Sequence, residues 1–198
     1  IPPDVNGAVG PSHIMTTLNT QVRIQNLTGG IISTVSLSAF WASVGNPNAF
    51  DPKILYEPFN NRWIFSAAGN PRAATSAILI GVSQTSNPTG LWNLYSIDVD
   101  GTDLNWFDFP SLGYNKDWIV VTGNIFSNAA GGFVTGKVYV FKKADLYAHL
   151  VSPGLTVLTA GSTLSPAATF DNSISTLYLL QRFNGNSGGS GILKLYTI

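Results

Sequence analysis

One pattern recurs along the chain: a short strand, a polar turn and then an apolar strand. It is found at residues 51–65, 108–120 and 165–179. The residues that open the second strand of each copy are 55 and 59 positions apart, namely Trp63, Trp118 and Leu177. A shorter copy near the start places Ile14 49 positions before Trp63. Units of this length bury their apolar faces against neighbouring copies, so the repeat constrains the fold more strongly than any single motif.

Self-similar units of roughly 40–60 residues made of short strands are typical of propeller blades. The sequence therefore predicts an all-β chain, a β-propeller built of about four blade-like antiparallel sheets. The units are approximately 1–48, 49–104, 105–160 and 161–198, which together form a single propeller domain or a propeller fragment. The fourth unit has no outer strand. Two arrangements stay open, a closed four-bladed ring or part of a larger propeller, and we favour the second.

The second unit shows the expected blade best. Its strands are predicted at residues 53–56, 62–67, 76–83 and 91–97, from the inner strand to the outer edge. The third of these is a continuous apolar run, as expected where a sheet is packed on both faces. A short helix is predicted within residues 142–150, where apolar residues are spaced for one or two helical turns, and it is the only helix that we expect.

Composition excludes several classes of function. Only 10% of the residues are charged, the formal net charge is zero and the basic residues form no run, so we expect no nucleic-acid partner. The absence of cysteine removes disulfide, zinc-thiolate and thiol-nucleophile chemistry. No apolar run approaches the length of a membrane span.

Several segments resemble a group of bacterial secreted β-propeller proteins of unassigned function. They lie at residues 2–13, 61–63, 82–92, 108–113 and 138–141. The resemblance covers most of the first three units and fades after about residue 150. It implies an extracellular propeller, and it carries no known catalytic residues across.

Three aspartates stand at equivalent places, just before the presumed inner strands: Asp4, Asp51 and Asp108. Their side chains are expected to converge on one mouth of the central channel. Propeller glycosidases resembling arabinanases place a general base, an acid and a pKa-tuning carboxylate there, because glycoside hydrolysis needs two carboxyl groups at a controlled separation. Aspartate before proline is also a common turn former, so turn formation, ligand binding and catalysis all stay open for these residues.

A second acidic group lies between the second and third units and contains Asp98, Asp100 and Asp103. Carboxylates at alternate positions around a glycine turn can converge on Ca²⁺, which takes oxygen ligands. The spacing does not match an EF-hand. The alternatives are a solvated loop and a structural calcium site, and calcium is the only cofactor that the sequence suggests.

Aromatic side chains are the remaining candidates for ligand contact. Trp41, Trp92 and Trp106 are expected near blade edges or loops, where an indole face can stack on the apolar face of a sugar. Core packing is the alternative for each. The two histidines, His13 and His149, lie far apart and have no serine-hydrolase or zinc-site context around them.

Because no catalytic set is complete, the favoured interpretation is a secreted, noncatalytic propeller module that binds a polysaccharide or a protein. The first alternative is a propeller-type glycoside hydrolase or lyase that uses Asp4, Asp51 and Asp108. The second is a structural or assembly protein whose open sheet edges pair with other chains, by self-association or with the remainder of a larger propeller.

Overall fold

The computed structural model describes residues 2–198, apart from the side chains of residues 183–186. Its strands form four antiparallel sheets. The first sheet contains β1 (Asn6–Val9), β2 (His13–Thr17), β3 (Gln21–Asn26) and β4 (Ile31–Ser36). The second contains β5 (Ala49–Glu57), β6 (Arg62–Gly69), β7 (Ala77–Ser83) and β8 (Trp92–Asp98). The third contains β9 (Asn105–Tyr114), β10 (Trp118–Ser127), β11 (Phe133–Lys142) and β12 (Leu155–Ala160). The fourth contains β13 (Leu164–Pro166), β14 (Tyr178–Ser187) and β15 (Ser190–Thr197).

Every sheet is a meander, because strands that are consecutive in the chain pair with one another. Each sheet falls within one of the four repeat units of the sequence. The prediction of an all-β propeller is confirmed by these four blades. The fourth blade has three strands within the described part of the chain.

The helices are short. α2 (Lys143–Tyr147) lies where the sequence predicts a helix, but α1 (Leu37–Phe40) and a 3-10 turn (Ala42–Val44) were not expected. The Ser36 hydroxyl caps α1 by accepting a hydrogen bond from the Ala39 backbone amide at 3.1 Å. Among the residues described, no helix has the length and apolar character needed to cross a bilayer.

The central strands of the second blade explain how the blades hold together. Along β6, Trp63 and Phe65 face the first blade, whereas Ile64 faces the third. In β7, Leu79 faces the first blade and Ile80 faces the third. Because successive side chains of a strand point to opposite faces, a continuous apolar run fills two interblade cores at once.

Hydrogen bonds also join the inner strands of neighbouring blades. The Asn6 side chain accepts from the Ile54 backbone amide at 2.7 Å, and the Tyr114 hydroxyl donates to the Tyr56 carbonyl at 3.2 Å. Further along, the Tyr114 amide donates to the Ala167 carbonyl at 3.1 Å. The inner strands β1, β5, β9 and β13 are thereby held side by side, and residues near their amino-terminal ends are brought to one face.

Candidate functional site

One non-glycine residue in the left-handed backbone region lies within each inner strand or just before it, at this face. The φ angles are 45° at Asp4, 52° at Asp51, 59° at Phe109 and 56° at Thr163. In β5 and β9 the residue lies at an irregularity of the strand pairing, between Phe50 and Lys53 and just after Asp108. Such bulges re-aim side chains and are common beside functional sites. Asp and Asn tolerate this conformation better than most residues, whereas a bulky side chain such as Phe109 is strained by it.

The three predicted aspartates meet in one cavity of about 570 Å³, which we call the acid cleft. Asp4, Asp51 and Asp108 come from three consecutive blades. Asp51 interacts with both of the other carboxyl groups and is therefore the central member of the group.

Asn19, in the turn between β2 and β3, ties the first blade to the second at this place. Its side-chain amide donates to Asp4 Oδ2 at 2.6 Å and to the Pro2 carbonyl at 2.9 Å. Its carbonyl oxygen accepts from the Asp51 backbone amide, also at 2.6 Å. Asn19 thus fixes the Asp4 carboxylate and the backbone of Asp51 together. Asn19 could not be predicted as a site residue, because an isolated Asn in a turn carries no signal of a site.

Burial and mutual repulsion perturb the pKa values of two carboxyl groups in the acid cleft. Burial, together with the negative charges of Asp108 and Asp4, raises the pKa of Asp51 to about 6. Burial also raises the pKa of Asp108, although the Phe109 amide, which donates to its Oδ1 at 2.8 Å, and the Arg72 guanidinium oppose that rise. At mildly acidic pH, around 6 and below, a proton is therefore held within the group, as it is where carboxylates share a site.

The walls of the acid cleft are aromatic and carry one cation. Trp106 is 8% exposed and packs against Phe50 and Phe126, with ring centroids 6.4 and 5.4 Å away. Phe109, in contrast, is 56% exposed at the rim. The Arg72 guanidinium lies over the Trp106 ring at 5.7 Å. Arg72 and Phe109 were not predicted as site residues. Only the folded chain brings Arg72 to the acid cleft, and the left-handed backbone of Phe109 is visible only in the structure.

The three tryptophans that were predicted to stack on a sugar lie in different environments. Trp41 is fully buried between the first two blades, so the prediction that it contacts a ligand is wrong. Trp92 is partly buried, donates through Nε1 to the Pro88 carbonyl at 2.9 Å and lines a separate surface groove. Trp106 lines the acid cleft, as a wall rather than an exposed platform.

The Asp98 to Asp103 loop is organised by its own backbone. Asp100 accepts from the Thr102 hydroxyl at 2.7 Å and from the Asn105 amide at 2.6 Å, and these bonds lower its pKa. The Asp98 carboxylate accepts from the Asp100 amide at 2.9 Å. Within the described residues, no group of three or more His, Asp or Glu side chains is arranged to hold a metal ion. Asp98, Asp100 and Asp103 therefore form a hydrogen-bonded turn, and the expected calcium ligands are not gathered as a site.

Comparison with known proteins gives two likenesses of structure. The endo-arabinanase of family GH43 from Bacillus licheniformis superposes with a TM-score of 0.49 and 17% identity, over 98% of this chain and 70% of that one. An exo-1,5-alpha-L-arabinanase from a bovine ruminal metagenomic library gives 0.47 and 13%, over 98% and 69%. No protein-family model matches the chain, and no curated protein matches it. Both likenesses are too distant to carry an activity across to this chain.

Proposed function

We propose that this chain is a propeller-type glycoside hydrolase whose chemistry is performed in the acid cleft. The observation that carries the proposal is the meeting of Asp4, Asp51 and Asp108 in one cavity, with the pKa of Asp51 raised to about 6. A module that only binds saccharide has no need to bring three half-buried carboxyl groups together in one cavity. Perturbed carboxyl pKa values in a cleft are typical of catalytic sites. The noncatalytic interpretation favoured by the sequence alone therefore becomes the second choice.

The relative positions of the three carboxyl groups indicate the part that each would take in glycoside hydrolysis. A glycosidase needs two carboxyl groups separated by about 5 Å or more so that the scissile bond fits between them. Asp51 interacts with both of the other carboxyl groups, so it is placed between a catalytic pair rather than as one member of it. The outer carboxyl groups, Asp4 and Asp108, are the better acid and base. Asp51 acts on the ionisation of Asp108.

Of the outer pair, Asp108 suits the acid and Asp4 suits the base. Burial raises the pKa of Asp108, which favours its protonated form. The Asn19 amide donates to Asp4, which orients that carboxylate as an acceptor. In the reaction Asp108 gives its proton to the glycosidic oxygen as the C–O bond breaks. Asp4 takes a proton from the water whose oxygen attacks the anomeric carbon, so one water is consumed for each bond cleaved.

The test is turnover of polysaccharides by the wild type and by Asp4→Asn, Asp51→Asn and Asp108→Asn. Loss of the acid or the base is expected to lower kcat by about 10²–10⁴-fold. Asp51→Asn is expected to lower kcat less, because Asp51 does not itself exchange a proton with the substrate. Mass spectrometry of the products separates hydrolysis, which adds one water per cleavage, from elimination, which adds none.

Asp103→Asn is the matched control. Asp103 is exposed, lies outside the acid cleft and has a left-handed backbone (φ 61°), as Asp51 has. The same substitution is therefore made in the same backbone conformation without touching the proposed chemistry. Full activity in Asp108→Asn, or an equal loss in Asp103→Asn, would contradict the assignment. Saccharide binding without turnover in the wild type would restore the noncatalytic alternative.

A further inference from the structure

Arg72 contributes a cation to the wall of the acid cleft that the proposed reaction does not use. It lies in the loop between β6 and β7, in a left-handed conformation (φ 55°), with an exposed side chain. It is the only Lys or Arg among the described residues that line the cavity. A left-handed backbone is unfavourable for a long side chain, so the loop holds Arg72 at this place against a conformational cost.

The guanidinium of Arg72 is held in place but leaves its donors unused. The Trp106 ring beneath it is 8% exposed and is itself fixed by Phe50 and Phe126. Within the described part of the chain, no hydrogen bond or salt bridge uses the guanidinium group. A cation–π contact does not consume the N–H donors, so all five remain for a ligand.

The electrostatics of the acid cleft indicate what such a ligand would be. Three aspartates give the cavity an excess of negative potential, which repels an anion unless a cation faces it directly. Arg72 acts on Asp108, since its charge opposes the rise in the pKa of that group, and so it lies on the Asp108 side of the cleft. A planar guanidinium on an aromatic ring matches the geometry of a carboxylate, with two parallel N–H···O bonds. A neutral saccharide can accept from the guanidinium only through hydroxyl and ring oxygens, without the charge assistance that a carboxylate gives.

Resting on the proposed function, we infer that Arg72 selects acidic saccharides, and that the guanidinium pairs bidentately with the ring carboxylate of a hexuronic acid residue next to the bond that is cleaved. The substrate class is then a polymer of hexuronic acids rather than a neutral glycan. The competing role for Arg72 is to act only on Asp108 by partly neutralising its charge, in which case the substrate charge is irrelevant.

The first experiment compares ligands rather than proteins, so it does not depend on any variant folding. Hexuronate oligosaccharides and their methyl esters, which differ only in the carboxylate charge, are given to the full chain, and kcat/KM is measured for each. Charge-assisted bidentate pairing predicts that the free acid is preferred by about 10–100-fold. Equal or faster cleavage of the ester would overturn the inference.

The second experiment assigns the preference to Arg72. Arg72→Gln is expected to abolish the difference between acid and ester, and Arg72→Lys to retain part of it. Arg62→Gln is the matched control, because Arg62 makes a comparable contact with Tyr147 at 5.8 Å and does not line the acid cleft. Thermal melts of each variant check that the fold is kept. If Arg72→Gln lowers kcat/KM equally for the free acid and for the methyl ester, Arg72 acts only through Asp108.

Calorimetric binding of the same oligosaccharides to Asp108→Asn separates this inference from the proposed function. If neither ligand is turned over by the wild type, the hydrolase proposal fails. Acid-selective binding that is lost in an added Arg72→Gln would still support the role of Arg72. Absence of acid-selective binding would overturn it.

Discussion

At the scale of single residues, the acid cleft contains features that lower the stability of the fold. Asp51 is kept partly buried between two other carboxyl groups, and Phe109 adopts a left-handed backbone while its ring is 56% exposed. Neither feature helps folding. Natural proteins concentrate such costs at functional sites, where the same strain and repulsion serve binding or chemistry.

The raised pKa of Asp51 predicts how the stability of the chain depends on pH. The unfolded Asp51 ionises near 3.8 and the folded one near 6, so between these values the folded state binds more protons. Stability is therefore expected to fall as pH rises from about 4 to about 6, and to stay lower above it. After allowance for solvent screening the loss is about 1–2 kcal/mol.

The measurement is Tm across this pH range for the wild type and Asp51→Asn. The variant removes the repulsion and keeps a residue that tolerates a left-handed backbone. It is expected to be the more stable protein at pH 7 by roughly 3–6 °C and to show a flatter profile. An unchanged pH dependence in Asp51→Asn would mean that another group is responsible.

At the scale of elements, a buried polar cluster joins the second blade to α2 at the end of the inner strands opposite the acid cleft. Glu57, the last residue of β5, is fully buried and accepts from the Tyr147 hydroxyl at 2.8 Å. Lys143 is 4% exposed, lies 3.8 Å from Glu57 and donates to the Asn115 carbonyl at 2.8 Å. The backbone amide of Phe59 also donates to Glu57, at 2.9 Å. Each member satisfies the others, as buried charges require.

Removal of one partner from this cluster is predicted to be costly. Lys143→Met leaves the Glu57 carboxylate buried without its counter-ion, and a loss of about 3–5 kcal/mol in unfolding free energy is expected. Lys142→Met is the control, because the Lys142 side chain is 59% exposed in its pairing with Asp145 and exposed pairs contribute about 0–1 kcal/mol. Chemical denaturation of both variants measures the difference. Comparable losses would show that the charge of the buried lysine does not matter.

At the scale of the whole molecule, the faces of the last blade differ. Leu179 is 2% exposed and packs against the third blade. The opposite face carries the cross-strand pair of Leu180 and Leu195, which are 47% and 62% exposed, and also Leu193, which is 68% exposed. A blade of a propeller normally packs on both faces, so this surface departs from the pattern of the contacts between the other blades.

This asymmetry predicts that substitutions at two adjacent residues change the stability by very different amounts. Leu179→Ala is expected to cost about 2–5 kcal/mol through the cavity that it leaves, whereas Leu180→Ser is expected to change stability by no more than about 0.5 kcal/mol. Chemical denaturation measures both. Light scattering over a range of concentrations tests the surface: self-association through this face would be weakened by Leu180→Ser combined with Leu193→Lys. A comparable cost at Leu179 and Leu180 would show that both faces are packed.

Much of the architecture could be predicted from the sequence, for a physical reason. Strand alternation and turn residues are local, so the repeat predicted four sheets, and the continuous apolar run of β7 predicted a strand packed on both faces. The helix α1 was missed because it is one turn long and depends on the Ser36 cap rather than on apolar periodicity. Trp41 was misjudged because a local pattern does not reveal which side of a blade is covered.

The composition of the acid cleft was decided partly by the sequence and partly by the fold. The repeat placed Asp4, Asp51 and Asp108 at equivalent positions, and equivalent positions in a propeller converge, so their meeting was predictable. Their hydrogen bonding, the pKa of Asp51 and the parts played by Asn19, Arg72 and Phe109 were not. Most of these depend on contacts between residues that are far apart in the chain, such as Asp4 and Asn19, and on left-handed bulges that aim the side chains. Burial and charge proximity are properties of the packed molecule, which is why only the tertiary structure could decide them.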